Sequence, residues 1–324
     1  MRKLMMLLLL LAAVLGRPLQ AAEPAAWPDL PEAVSSFGAA VCDGWLYVYS
    51  GHMGGAHEHS RDNLSQRFVR LNLAAPTQWQ PLAMGTPLQG LPLVADDRYV
   101  YRVGGLQALN AKGQPDELRS VTEFERFGPA AKQWEQLAPL PAGRSSHDAV
   151  IVDGVLYVVG GWELGEGTKN WYDHGVTLRL DTPGATWEKL AQPFQRRALA
   201  VAAHRGKLYA LGGMASDDKP STAVNVLDLK SGTWSDGPRL PGEGMNGFGC
   251  AAVSVPAGLI VTTMDGSVLR LADAGDGWEP KGKLEHARFF HRLVPLADGS
   301  VLAVAGASMQ EGHQSSLERI VVER

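Results

Sequence analysis

Cysteine, charge and helical periodicity are what this sequence has least of. Two cysteines, Cys42 and Cys250, in 324 residues exclude a disulfide-built scaffold. Charged residues are 20% of the chain, with 30 basic against 34 acidic, so no general basic surface awaits a nucleic acid. After residue 22 no long apolar run has helical spacing, which argues against an α/β fold. No P-loop, dinucleotide fingerprint, nucleophile elbow or HExxH segment is present, and no cofactor is expected.

Glycine (37) and proline (20) are plentiful, as many short strands joined by tight turns require. The N-terminus has the form of a signal peptide. Arg2 and Lys3 precede an apolar stretch, Leu4 to Leu15, too short for a comfortable membrane span, and small residues follow at Ala21 and Ala22. Cleavage there is expected to send the chain to the periplasm or cell exterior. It would remove Arg2, Lys3 and Arg17 and no acid, so the net charge moves from −4 to −7. Residues 1–22 are thus read as signal peptide and 23–324 as one domain, with no membrane insertion after cleavage.

Internal repetition decides the fold. Six apolar hairpins recur, their turns at Asp43-Gly44, Asp96-Asp97, Asp153-Gly154, Arg205-Gly206, Ala257-Gly258 and Asp298-Gly299. Gly-Gly closes three second strands, at Gly104-Gly105, Gly160-Gly161 and Gly212-Gly213. Gly51 and Gly306 stand alone, and Thr263-Met264-Asp265 replaces the pair in the fifth unit. A tryptophan follows five of the hairpins, at Trp79, Trp134, Trp187, Trp234 and Trp278, mostly with a Leu/Pro tail such as Trp234-Ser-Asp-Gly-Pro-Arg-Leu-Pro241. Trp27-Pro-Asp-Leu-Pro31 matches that tail and supplies the sixth. The pattern predicts an all-β, six-bladed propeller in which the strand around Ala25–Leu30 completes the last blade and hides the sheet edges. Cys42 and Cys250 fall in blades one and five, which are not neighbours, so two buried free thiols are expected.

Antiparallel alternation sorts the polar residues. Segments entering the inner strands and loops leaving the second strands open on one face. Eight of nine histidines lie there (His52, His57, His59, His147, His174, His286, His291 and His313), with Arg144, Arg196, Arg197 and Arg288. The arginines are candidates for an anionic ligand, joined by Asn246 and by Trp162 and Phe289 as apolar platforms. His147, His291 and Asp173 are candidate proton carriers. His52, His57 and His59, spaced H-x4-H-x-H, are a weak metal candidate.

Apolar strand, Gly-Gly and a later Trp together resemble the kelch repeat over nearly the whole mature chain, most specifically at Ser145–Trp187 and Ala198–Trp234. The resemblance implies a propeller that binds a protein, a peptide or a small acidic or neutral carbohydrate on the loop face. Export and size are similar to those of periplasmic sialic acid mutarotases, which implies an alternative: a sugar-converting enzyme using His and Arg on that face. A more distant likeness is to galactose oxidase-like copper radical enzymes. Cys42 sits at a turn on the far side from the histidines, which disfavours that chemistry.

Overall fold

The computed structural model describes residues 27–322; the signal-peptide reading lies outside them. Twenty-eight strands and two short 3-10 turns, Arg61–Asn63 and Gly244–Gly247, make up the regular structure, with no α-helix among the described residues. The six hairpins become six antiparallel blades. Their inner strands are Gly38–Cys42, Leu93–Ala95, Ser145–Val152, Ala200–His204, Ala251–Val255 and Arg292–Pro295. Blades one to five have four strands each along this path. Inner strands of successive blades touch all the way round, and the last touches the first. The core lies between blades: Phe37, Leu46, Leu71, Val294, Leu302 and Val304 form one cluster that spans blades one and six.

The sixth blade has three strands, and its fourth place is filled by the N-terminal segment. Leu30 N–H donates to Ser315 O at 2.8 Å and Val34 N–H to Gln314 O at 3.3 Å. This is a correction in detail. The closing segment is an extended clasp with spaced hydrogen bonds, where a continuous strand was expected, because Pro28 and Pro31 remove donors from it. Glu32 secures it further, accepting from Ser65 Oγ and pairing with Arg67 at 3.2 Å.

The tryptophans explain their own recurrence. Each indole N–H donates to a carbonyl in the tail of the preceding blade: Trp79 to Pro28, Trp134 to Ala83, Trp187 to Ala138, Trp234 to Ala191 and Trp278 to Pro238. An aromatic body with one polar handle suits a seam that is apolar on one side and wet on the other. Pro28 plays for blade one the part that the other tails play for their neighbours. The N-terminal Trp-Pro segment therefore belongs to the last blade.

A second device runs round the centre. One residue just before or at each inner strand is left-handed: Ser36, Gly90, Ser146, Ala198, Gly249 and Phe290, with φ from 51° to 63°. Four of these are not glycine, so their geometry is imposed from outside. The N–H of each donates to the carbonyl of the one before it: Gly90 to Ser36, Ser146 to Gly90, Ala198 to Ser146, Gly249 to Ala198 and Phe290 to Gly249. Ser36 donates to Phe290 and closes the circle, all six bonds being 2.7–3.0 Å.

Across this ring reaches Arg292 of blade six. Its Nε donates to Phe37 O of blade one and its Nη2 to Leu91 O of blade two. Its Nη1 meets Asp148 Oδ1 of blade three at 2.8 Å. Asp148 Oδ2 accepts the Val201 N–H of blade four. One ion pair thus ties five blades together across the channel. Cys42 and Cys250 are free and buried, as expected, and burial pushes their thiols up to about 11 and about 12.

Removing one partner of this pair strands the other with its carbonyls and little water. Asp148→Ala should cost about 3 kcal/mol in urea unfolding, and Arg292→Met a similar amount; a change below about 1 kcal/mol in both would show the bridge to be dispensable. Deleting residues 27–36 removes the clasp and Ser36, and with it two of the ring's six hydrogen bonds. The product should unfold or oligomerise through the exposed edge of blade six, and a stable monomer by light scattering would refute the closure.

Candidate functional site

The loop face is built from the repeat outward. The residue just before each left-handed one lies at the entry to its inner strand, on the loop face. Round the ring these are Ser35, Gln89, Ser145, Arg197, Phe248 and Phe289. Five of them pair with a residue that follows a second strand's glycine: Ser35 with His52, Gln89 with Leu106, Ser145 with Trp162, Arg197 with Met214 and Phe289 with Ala307. These pairings require the chain to turn sharply. The glycines supply that turn, with φ of 113° at Gly51, 125° at Gly105 and 88° at Gly161. At Gly160 a Cβ would stand 2.7 Å from Arg196 O of the next blade, so no side chain fits there.

The loop face is therefore lopsided. In blades one to three these residues are Ser35, Gln89 and Ser145, all of them buried. Blades four to six contribute a guanidinium and two phenyl rings. Arg197 lies 4.1 Å from the Trp162 ring, 5.7 Å from Trp171 and 5.8 Å from Phe248. Trp162 and Trp171 are 5.4 Å apart, held together by a hairpin of Val155–Gly165 with Thr168–Trp171. Phe248 continues the surface to Phe290 at 4.9 Å and Phe289 at 6.5 Å. Lys169 sits over both tryptophans and pairs with Asp218 of blade four at 3.3 Å.

Arg197 is left with little to bind. Its Nη2 meets the Met214 sulfur at 3.2 Å, a weak acceptor, and its buried Nε has no partner. The buried Trp162 Nε1 has none either. Burial presses the Arg197 pKa down from the ordinary guanidinium value, and Asp218 partly opposes that. Among the described residues that are not exposed, Arg197 is the arginine without an oxygen acceptor.

The other candidate arginines are spent on the fold, and this corrects the expectation for them. Arg144 donates from Nη1 to Gly160 O and His174 O. Arg288 donates to Ala305 O and Ser316 O and pairs with Glu318 at 3.2 Å. Arg196 takes the same place in blade four, on Gly212 O and Ala223 O. All three are buried, and each caps the carbonyls freed where a second strand turns at its glycine. Asn246 is likewise committed. Its Nδ2 donates to Pro241 O, and its Oδ1 accepts from Asp265 N–H.

The proton carriers are corrected too. His147 and His291 occupy the inward position after the left-handed residue, matching Phe37, Leu91, Leu199 and Cys250. Both are buried. Burial holds His147 neutral well below its ordinary range, and Arg144 and Arg292 add to this. It pushes His291 down to about 3, helped by Arg288 and Arg292. His291 Nε2 meets Thr262 Oγ1 at 2.6 Å. Neither imidazole reaches the mouth. Asp173 is exposed at the rim and accepts from His174 Nδ1 at 2.8 Å, which lowers its pKa.

The metal candidate does not assemble as read. No group of three or more His, Cys, Asp or Glu among the described residues has the geometry for a metal ion. His57 is exposed on a left-handed turn. His52 instead lies between His59 and His313 of blade six, with ring centroids 5.4 and 5.2 Å away. Arg292 and Asp148, and His313 beside His52, were missed as working partners. Arg292 and Asp148 carried one available signal: Arg144-Ser-Ser-His-Asp148 aligns with Arg288-Phe-Phe-His-Arg292, which puts opposite charges at one repeat position in blades three apart.

Comparison with known proteins agrees with this architecture. A family model described as Kelch motif matches residues 195–241. Beta-scruin of Limulus polyphemus is 26% identical over 232 residues, covering 70% of this chain and 24% of that protein. Kelch-like protein 40 of Xenopus tropicalis is 25% identical over 236 residues, 71% of this chain and 37% of that protein. The chain thus spans well under half the length of these curated relatives. A solved structure titled "Structure of YjhT" superposes with a TM-score of 0.74 at 16% identity, covering 92% of this chain and 97% of that one, a likeness of fold. With its repeats, blade order and Trp seams, the chain is a six-bladed β-propeller that carries a kelch motif at residues 195–241.

Proposed function

We propose that this propeller is a binding module whose loop face recognises a partner through a carboxylate or similar oxyanion, and that an acidic carbohydrate is the class of ligand. One observation carries the reading: Arg197 is half-buried among aromatic rings with no oxygen to bind, beside an indole N–H in the same condition. A guanidinium presents a fork of donors that matches a carboxylate. Trp162, Trp171 and Phe248 give the flat apolar walls a sugar ring packs against. Kelch propellers that engage proteins use the same kind of face, and the Met245 and Met309 side chains exposed on its rim suit a larger partner. The reading places this binding outside the cytoplasm, where the N-terminal segment would send the chain.

A catalytic reading is favoured by one feature, the exposed Asp173–His174 pair two residues beyond Trp171. A sugar-converting enzyme would use it as acid and base at the rim. Asp173→Asn would then abolish ring opening and closing of an acidic sugar, followed by NMR of the two anomers, and leave binding intact.

Sialic and glucuronic acid, each at about a hundred times its dissociation constant, should stabilise the protein by about 2.7 kcal/mol, several degrees in melting temperature, while glucose should do much less. Arg197→Ala should remove that shift and leave the unliganded melting temperature within about 2 °C of the parent. Arg196→Ala should instead destabilise the fold by about 3 kcal/mol, since it abandons buried carbonyls. Absence of a shift with every acidic sugar would overturn the carbohydrate reading.

A further inference from the structure

We propose that His52, His59 and His313 make the loop 52–65 an acid-released strap across the seam where the first and last blades meet. The strap leaves blade one and is tied down on both sides. Toward blade six, His313 Nε2 meets Gly54 O at 2.6 Å. Toward blade two, Gln89 Nε2 meets His59 Nδ1 at 2.9 Å, and Asn110 Nδ2 donates to His59 O at 2.7 Å. Within the strap, His52 Nε2 meets Glu58 O at 3.0 Å, and Asn63 Nδ2 donates to the same carbonyl. The strap also walls a cavity of about 670 Å³ with Glu32 of the N-terminal clasp and Arg67 of blade one.

A carbonyl only accepts, so His52 and His313 each present a hydrogen on Nε2 to it. A second proton must then go to Nδ1. On His313 that atom is buried with no partner, and a proton there becomes an unpaired donor. The three rings are close enough that their charges would repel across little water. The groups facing them offer little relief. The Glu58 carboxylate turns to the Gly55 N–H, at 3.3 Å. Glu32 is taken by Ser65 and Arg67, and Asp62 holds the Lys112 N–H. From blade six, Glu311 pairs with His286 at 3.6 Å and accepts from Gln314. Asp116 from blade two favours a proton on His59, and the exposed His57 opposes one.

Burial accordingly pushes His52 down to about 4 and lowers His59. A group whose folded pKa is depressed in this way binds its proton more readily when released. Stability of the closed strap is complete above the free value of about 6.5 and is lost as pH falls from there toward 4. For His52 alone, the opening constant should rise about 30-fold between pH 7.5 and pH 5.0.

His147 and His291 make the whole fold acid-labile with the same sign, so the readout must be local. Hydrogen exchange of strap amides, corrected for intrinsic rate, should show protection falling at least about 30-fold over that range. Amides of the inner strands should keep theirs. His52→Gln should shrink the strap's pH step to about threefold or less. His313→Gln keeps a donor for Gly54 O without titrating; it should reduce the step while preserving protection at pH 7.5. A strap whose protection does not change with pH, or changes only in parallel with the inner strands, overturns the proposal. So does a full pH step in both variants.

Discussion

Six backbone hydrogen bonds, passed head to tail round the channel mouth, are the constraint on which the rest depends. A closed ring of this kind requires one residue per blade to turn its N–H toward one neighbour and its carbonyl toward the other. The left-handed conformation does this, and it is costly for Ser36, Ser146, Ala198 and Phe290. Each bond exists only if both adjacent blades are in place, so the cost is met by closure and the six bonds stand or fall together. The ring also fixes a frame of positions. The residue before each left-handed one stands at the loop face, the residue after it enters the seam between blades, and the next can reach the channel, as Arg292 does.

That frame gives the arginines their separate tasks. Arg144, Arg196 and Arg288 recur two places before the left-handed residue, and each caps carbonyls of its own blade. Arg292 spans the channel. Arg197 stands at a position that is Ser, Gln or Phe in other blades, and it caps nothing. A residue type that recurs at one repeat position serves the repeat. One that appears there once is free to serve a site.

The fold was legible because hairpin turns and Trp tails are local signals, carried by residue type at fixed order. Five indole-to-carbonyl bonds explain why the Trp tails were diagnostic, and Trp79 on Pro28 explains why Trp27 could be placed in the last blade. The ring was not legible. Its members are Ser, Gly, Ser, Ala, Gly and Phe, which share a conformation and no chemistry. The same blindness affected the site. Reading by residue type gathered Arg144, Arg288, His147 and His291 with Arg197, although burial separates them. It grouped His57 with His52 and His59 by spacing, although the third ring comes from His313, more than two hundred residues away.

Blade five shows how a six-fold frame acquires a single site. Thr263-Met264-Asp265 lacks the left-handed glycine pair, so no strand returns to bridge Phe248 at the mouth. Asn246 repairs the gap from the other side. Its backbone carbonyl takes the Met264 N–H, and its side chain takes the Asp265 N–H. Phe248 is left half-buried, free to pack toward Arg197 on one side and Phe290 on the other. Symmetry alone would present the same residues to a ligand six times over, and a small ligand cannot use that. Breaking the repeat at blade five, beside the blade that carries Arg197, gives the mouth one distinct side. The departure that weakened the repeat signal in the sequence is the feature that leaves Phe248 unbridged beside Arg197.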